Sequence, residues 1–278
     1  MLGAEPTCST SASFARYAEG VTSVLVRLGM VSLLLAATPA AAWAQTRLTV
    51  DGTEFVLAMP DGRTLRSPDL LGATLKIRAQ GRSIEIAIQG VEVDRYAVGG
   101  RVVLHRFVAK DDSGEALDLC SPDAEGRNHG FPVPDGRGGF DLTCTSGAIG
   151  KCIRWGYRHW EEVPGGPPLR ALHRACVHMA RADYGGDGAS STRDGTLIDI
   201  QDHFGIQRFG RDVRMAFEAA WGVDGAICVA RPRIADNISL AQIGERYVHL
   251  APRLGPAACT EESAMREPAA LLFNRSRQ

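Results

Sequence analysis

The chain after residue 44 begins with short segments in which apolar and polar residues alternate. Leu48–Val50 and Phe55–Met59 flank the dipeptide Asp51-Gly52, which favours a tight turn between antiparallel strands. Between residues 84 and 88 isoleucine occupies every second position, the periodicity of a half-buried strand. Similar segments at 75–77, 102–107 and 140–144 predict further strands, and the glycine-rich segment 121–139 indicates a loop. Residues 45–148 are therefore predicted to form a β-rich N-terminal region.

Helical periodicity occurs in two later segments. Four apolar residues recur at steps of three and four after Pro168, and they share one helix face: Leu169, Leu172, Cys176 and Met179. This helix is predicted to end near residues 183–186, where glycine favours a C-terminal cap. A second helix begins at Ser239, because Gln242 three residues later has the spacing of a capping box.

Between and around these helices the pattern again indicates strands. Residues 196–200 and 213–221 alternate, and Asp224-Gly225 turns the chain into a hairpin strand at 226–230. Trp155 and Tyr157 are two residues apart, so in a strand they share one face, where core packing is a simpler role than stacking on sugars. The predicted fold class is α+β and strand-rich, with antiparallel sheets and about two helices. Residues 149–262 form its cysteine-containing α+β region, and 263–278 a flexible tail.

The first 44 residues have the pattern of a secretory signal peptide. Arg16 and Arg27 precede an uncharged apolar run that ends in Ala42-Trp43-Ala44, the small-x-small motif of a cleavage site. The run is at the lower limit for a membrane span, and Pro39 interrupts it. We therefore expect a periplasmic or secreted protein with no membrane span after cleavage.

Cysteines support the same compartment. Cleavage removes Cys8 and leaves an even set, which favours disulfides in an oxidising compartment: Cys120, Cys144, Cys152, Cys176, Cys228 and Cys259. The spacing contains no C-x-x-C motif and predicts no metal site. The sequence does not choose among the 15 possible pairings of six cysteines.

The charge of the chain indicates which classes of binding partner are not expected. The formal net charge is -1, with basic and acidic residues interspersed, so no nucleic acid partner is expected. Among known motifs, G-x-S-x-G, H-E-x-x-H and the glycine-rich phosphate loop do not occur in the sequence.

The densest unusual segment begins at His173 and runs through Ala182-Asp183-Tyr184-Gly185-Gly186-Asp187-Gly188 to Ile200. Together with 144–157, 217–221 and 224–229 it resembles the ADYC-domain family of bacterial proteins. The resemblance covers roughly Cys120 to Cys259. It implies an exported, cysteine-containing protein and indicates no activity. The family's namesake cysteine is Gly185 here. If that cysteine is a nucleophile in the family, this chain is an inactive member; if it is half of a disulfide, the even cysteine count fits the loss of both halves.

Several carboxylates surround the glycines of this segment. Such a loop can bring oxygens onto a hard cation such as calcium, although the spacing is not that of an EF-hand. The alternative is a solvated loop whose aspartates cap turns and helix ends. No cofactor is expected apart from this possible calcium ion. The predicted ligand-binding residues are Asp183, Tyr184, Asp187, Arg193 and Asp194.

A hydrolytic interpretation uses the same segment. His173 or His178 would act as the base, with Asp183 or Asp187 as its partner and Ser190, Ser191 or water as nucleophile. The candidate catalytic residues are thus His173, Asp183 and Asp187. The function best supported by the sequence is an exported, disulfide-stabilised binding or envelope-associated module of unknown activity, and an envelope hydrolase is the alternative.

Overall fold

The computed structural model describes residues 25–27, 47–79, 82–110 and 114–277. Contacts divide the chain into two compact units that are not continuous in sequence. The first unit contains residues up to Glu92, Val103–Cys120 and Asn128–Thr143, and the second contains Val93–Val102, Ser121–Arg127 and Cys144–Gln278. The predicted boundary after residue 148 stays a prediction, and the sequence pattern did not indicate the two short excursions of the chain into the second unit, Val93–Val102 and Ser121–Arg127.

The first unit is built from antiparallel strands. They are β1 (Leu25–Arg27), β2 (Arg47–Asp51), β3 (Glu54–Ala58), β4 (Thr64–Arg66), β5 (Thr74–Ala79), β6 (Arg82–Val93), β7 (Val103–Lys110), β8 (Ala116–Asp118), β9 (His129–Pro134) and β10 (Phe140–Cys144). One sheet has the order β1-β5-β6-β7-β9-β10, with β8 also paired to β7, and a smaller sheet has the order β2-β3-β4. A 3-10 helix at Ser67–Leu70 follows β4.

Alternation predicted six of these strands, namely β2, β3, β5, β6, β7 and β10. The β2–β3 hairpin pairs Val50 with Phe55 across the predicted turn, and β5 pairs antiparallel with β6. Ile86 and Ile88 of β6 pack in one hydrophobic core with Phe55 and Leu75, all four nearly inaccessible to solvent. Strand β9 lies inside the predicted loop 121–139, where prolines and glycines hide its apolar residues in the sequence.

The second unit combines helices with a four-stranded sheet. Its helices are α1 (Ala148–Arg154), α2 (Leu169–Arg181), α3 (Leu240–Arg246) and α4 (Glu261–Ala264), with a 3-10 helix at Val248–Arg253. Its strands are β11 (Ile198–Asp202), β12 (Met215–Gly222), β13 (Gly225–Val229) and β14 (Leu272–Arg277), in the antiparallel order β11-β14-β12-β13. Among the described residues three helices have seven or more residues, where the sequence predicted about two.

Helix α2 is the centre of the second unit. The four residues of its predicted apolar face are all buried, and they pack in one core with Trp221 of β12 and Ile243 of α3. The predicted capping box at the start of α3 is confirmed, since the Ser239 hydroxyl accepts from the Gln242 amide and the Gln242 side chain accepts from the Ser239 amide.

Two segments of this unit differ from the sequence-based expectation. The expected strand face of Trp155 and Tyr157 is wrong, because α1 ends at Arg154 and Trp155 is its C-terminal cap. Gly150 permits this helix, since a Cβ there would lie 2.1 Å from the Cys144 carbonyl oxygen. The predicted flexible tail contains β14, an inner strand in which Asn274 is fully buried. Its polar side chains meet buried polar partners, which composition alone does not reveal.

All six cysteines among the described residues are disulfide-bonded, as predicted. Cys152–Cys176 joins α1 to α2, and Cys228–Cys259 joins β13 to the segment before α4. The predicted signal peptide lies outside the described residues apart from β1, which pairs with β5. None of the helices in the described ranges is long and apolar enough to cross a membrane.

Candidate functional site

The candidate loop begins where α2 ends. Ala182 follows the helix with a φ of +49°, the only positive φ of a non-glycine residue in the described chain. This left-handed conformation costs an L-residue about 1 kcal/mol or more, and such strain is concentrated at corners that the surrounding structure fixes. Ala182, Asp183 and Tyr184 are each at most 1% exposed. The corner therefore points its three side chains into the protein.

Asp183 pairs with His178, one of the two histidines that the sequence offered as a base. The Nδ1 atom of His178 lies 2.9 Å from Oδ2 of Asp183, and the same oxygen accepts from the Gly188 amide at 2.9 Å. Oδ1 of Asp183 is buried without a hydrogen-bond partner. If Asp183 is ionised, its oxygens only accept hydrogen bonds, and Nδ1 of His178 then carries the proton. When the imidazole is neutral, Nε2 is left as its proton acceptor.

His173, the other candidate base, is placed elsewhere. Its Nδ1 atom lies 2.8 Å from the Tyr157 carbonyl oxygen, and its ring lies 4.7 Å from that of His159. Burial, with a smaller contribution from His159, lowers the pKa of His173 to about 4. At neutral pH this ring is uncharged, and its hydrogen bond is to the main chain rather than to Asp183.

Asp187 forms a surface cluster with the end of α3. It accepts from Arg246 at 2.7 Å and from the Tyr247 hydroxyl at 3.1 Å. Partial burial acts to raise the pKa of Asp187, but hydrogen bonds from the Ala189 amide, Arg246 and Tyr247 lower it overall. Burial and the bond to Asp187 raise the pKa of Tyr247 to about 12. The cluster is thus a fixed set of one carboxylate, one phenol and one guanidinium.

Gly185, the position of the family's namesake cysteine, lies directly under the Tyr247 ring. A Cβ at residue 185 would come within 2.0 Å of a Tyr247 ring carbon. The next residue, Gly186, is equally confined, because a Cβ there would lie 2.1 Å from the Asp224 carbonyl oxygen. The two glycines therefore allow the loop to pass between α3 and the β12–β13 turn.

Tyr184 leads into a buried polar network that the sequence did not reveal. Its ring stacks on Trp221, and its hydroxyl donates to Glu218 at 3.3 Å and accepts from the Arg233 amide at 2.8 Å. Glu218 forms a two-pronged ion pair with Arg233 at 2.9 and 3.0 Å and also accepts from Asn274. Burial, then the charge of Glu218, raise the pKa of Tyr184 well above its ordinary value. A glutamate within an otherwise apolar strand was the available signal.

Arg233 also binds free carbonyl groups at the C-terminal end of α2. Its guanidinium donates to the carbonyl oxygens of Met179 at 2.7 Å and Ala180 at 3.1 Å. A cation at this end of a helix offsets the partial negative charge of its free carbonyls. Tyr184 was predicted to bind a ligand. In the structure its side chain is buried in this network and is not exposed.

The remaining predicted residues are at the far side of the loop. Arg193 pairs with Asp236 at 3.2 Å, with both side chains more than half exposed, and Asp194 is exposed. The Ser190 hydroxyl, a candidate nucleophile, donates to the Arg181 carbonyl oxygen at 3.0 Å. The structure therefore brings together His178 with Asp183, and Asp187 with α3, while His173 and Arg193 have other partners.

The residues that the structure describes contain no group of three or more histidine, cysteine or acidic side chains placed to hold a metal ion. Asp183 and Asp187 are hydrogen-bonded to protein donors instead. Calcium binding by this loop stays a prediction.

Comparison with known proteins identifies the family. The ADYC domain model matches residues 67–235, which is more than half of the chain. No curated protein and no solved structure gives a significant match. The matched range includes the Ala182–Tyr184 corner, Glu218, Trp221 and Arg233. The chain therefore belongs to the ADYC domain family.

Proposed function

We propose that this protein acts outside the cytoplasm as a disulfide-stabilised binding module and that the loop 183–194 is its contact surface. The observation that carries the proposal is the oxidised state of all six described cysteines. Disulfides persist in secreted and periplasmic proteins, whereas cytosolic reductants keep thiols reduced. The apolar leader in the sequence supports the same compartment.

The loop is suited to recognition because its backbone is fixed while some of its charges stay exposed. His178, the Tyr247 ring and the β12–β13 turn hold residues 183–188. Arg193 and Asp194 remain exposed beyond this fixed part. A contact surface that is already ordered loses little conformational entropy on binding. Arginine is also among the residue types enriched at binding hot spots.

The compartment is tested by cell fractionation combined with thiol labelling. Full-length protein is expressed in its producing cell, and each fraction is treated with a maleimide under denaturing conditions without reductant. We expect a shortened protein in the periplasm or medium that takes up no label. A full-length cytosolic protein that labels on every cysteine would overturn the proposal.

The contact surface is tested with the double variant Arg193→Ala/Asp194→Ala. The probe is a washed cell-envelope preparation, and bound protein is measured by sedimentation. We expect binding to weaken about tenfold, equivalent to about 1.4 kcal/mol. The matched control is Arg266→Ala/Glu262→Ala, which removes another exposed ion pair of the same unit. Equal binding by both variants and the parent protein contradicts a role for the loop.

A hydrolase is the second candidate because of one observation, the His178–Asp183 pair. A buried carboxylate that orients a partly exposed histidine is the base half of a nucleophilic or water-activating site. If this function is correct, hydrolysis of p-nitrophenyl acetate should be lost in His178→Asn and reduced in Asp183→Asn. His203→Asn, which changes an exposed histidine of the same unit, should keep it. Activity that does not differ among these variants excludes the pair as a catalytic base.

A further inference from the structure

A cleft of about 480 Å³ lies at the start of α2, at the end of the helix away from the candidate loop. It is lined by the connector from His159 to Pro168 and by the first turns of α2, and Val223 of the β12–β13 turn also lines it. Its volume is within the range of small-molecule sites, about 300–1,000 Å³. None of the candidate residues of the loop lines this cleft.

The connector forms an ordered apolar wall. The Gly166 amide donates to the Val163 carbonyl at 2.7 Å, and a Cβ on Gly166 would lie 2.6 Å from the Val163 side chain. Pro167 and Pro168 follow with their φ angles fixed by the ring. Val163 nevertheless remains 50% exposed. The wall thus presents apolar surface in a fixed shape, which lowers the entropy cost of binding an apolar group.

The helix side of the cleft is cationic. Arg170 and Arg174 both line it, and their spacing of four residues places them on one face of α2. Arg170 is exposed and forms no ion pair with another described residue. Arg174 pairs with Asp224 at 3.1 Å, but the two side chains are 59% and 85% exposed. A pair so exposed contributes little, so its guanidinium can exchange to a ligand.

Two carboxylates also line the cleft, and they differ in availability. Glu161 is held at 2.6 Å by Arg158, whose own side chain is buried, so this charge is neutralised. Glu162 is exposed and has no ion-pair partner in the described chain. The cleft is therefore polarised, with cations on the helix and one uncompensated carboxylate on the connector. An anionic group is attracted to the helix side and repelled by Glu162.

We propose that this cleft binds an amphipathic organic anion, with its acidic group at Arg170 and Arg174 and its apolar body against Val163, Pro167 and Pro168. The charge pattern gives this site opposite responses to two conservative changes. Arg170→Gln weakens binding of an anion, and Glu162→Gln strengthens it. Both residues are on the surface, so neither change alters the core.

The experiment is a fluorescence titration of the mature protein with 1-anilinonaphthalene-8-sulfonate, an amphipathic anion. Displacement is then measured with decanoate and with decyltrimethylammonium, which carry similar chains and opposite charges, below their micelle-forming concentrations. We expect saturable binding that decanoate displaces and the cation does not. Kd should rise about tenfold in Arg170→Gln and fall severalfold in Glu162→Gln. Arg266→Gln, the control, changes an exposed arginine of the same unit and should leave Kd unchanged.

Three outcomes overturn the proposal. Absence of saturable probe binding removes the site. Equal displacement by both competitors shows an apolar surface without charge selection. A Kd that changes equally in Arg170→Gln and Arg266→Gln assigns the probe to another place. Because the loop does not line the cleft, each of these results is independent of the function proposed for the loop.

Discussion

Replacing Glu218 with glutamine tests the buried network that underlies the candidate loop. Glu218 is fully buried, and each of its two oxygens accepts two hydrogen bonds, from Tyr184 and Arg233 on one and from Arg233 and Asn274 on the other. The amide of Glu218→Gln has one oxygen, so two of these bonds are lost in either orientation. Hydrogen bonds to charged groups contribute about 1.5–3 kcal/mol each. Leaving one partner of a buried ion pair uncompensated costs about 3–5 kcal/mol.

We therefore expect Glu218→Gln to lower the free energy of unfolding by about 3–5 kcal/mol, measured by urea denaturation with tryptophan fluorescence. The matched control is Asp236→Asn, which breaks the exposed ion pair with Arg193 and should change stability by about 0.5 kcal/mol or less. A loss below about 1 kcal/mol in Glu218→Gln would refute the reasoning, because the buried Arg233 charge would then not depend on its partner.

Three further predictions concern the disulfides, a buried histidine and the namesake position. Replacing both Cys152 and Cys176 with alanine should cost about 2–4 kcal/mol, and reductant should then destabilise the variant less than the parent protein, as melting curves would report. The pKa of about 4 for His173 in the folded protein lies below the unfolded value of about 6.5. As the pH falls, the unfolded state therefore takes up the proton first. The contribution of His173 to the free energy of unfolding is fully present above pH 6.5, and up to about 3 kcal/mol of it is lost as the pH falls to 4. His173→Asn should weaken this pH dependence in denaturation curves. Gly185→Ala should destabilise by about 1–3 kcal/mol through its clash with Tyr247, and Tyr247→Ala in the same chain should relieve the clash, so that a double-mutant cycle gives non-additive effects.

Local patterns predicted the elements whose stability depends on neighbours in sequence. Three such elements are determined by residues that lie close together in the sequence: the β2–β3 hairpin, the apolar face of α2 and the capping box at Ser239. Short-range periodicity is the strongest signal that a single sequence carries. These features could therefore be read without knowing which elements meet in space.

Long-range pairings could not be predicted in this way. Glu218 is 15 residues from Arg233, 34 from Tyr184 and 56 from Asn274, and no periodic pattern links such positions. The predicted base–acid pair shows the same limit. The sequence offered both His173 and His178, and only the path of the chain after Ala182 decides that Asp183 returns to His178.

The segment by which the family is recognised serves the fold in this chain. Its alanine is the strained cap of α2, its aspartate is buried against His178, and its tyrosine is stacked on Trp221. At the fourth position is Gly185, and the Tyr247 ring occupies the space that a side chain there would need. Because these residues are turned inward or covered, the recognisable motif specifies a corner rather than a reactive surface. The binding that we propose accordingly rests on exposed groups outside this corner, Arg193 of the loop and Arg170 at the start of α2.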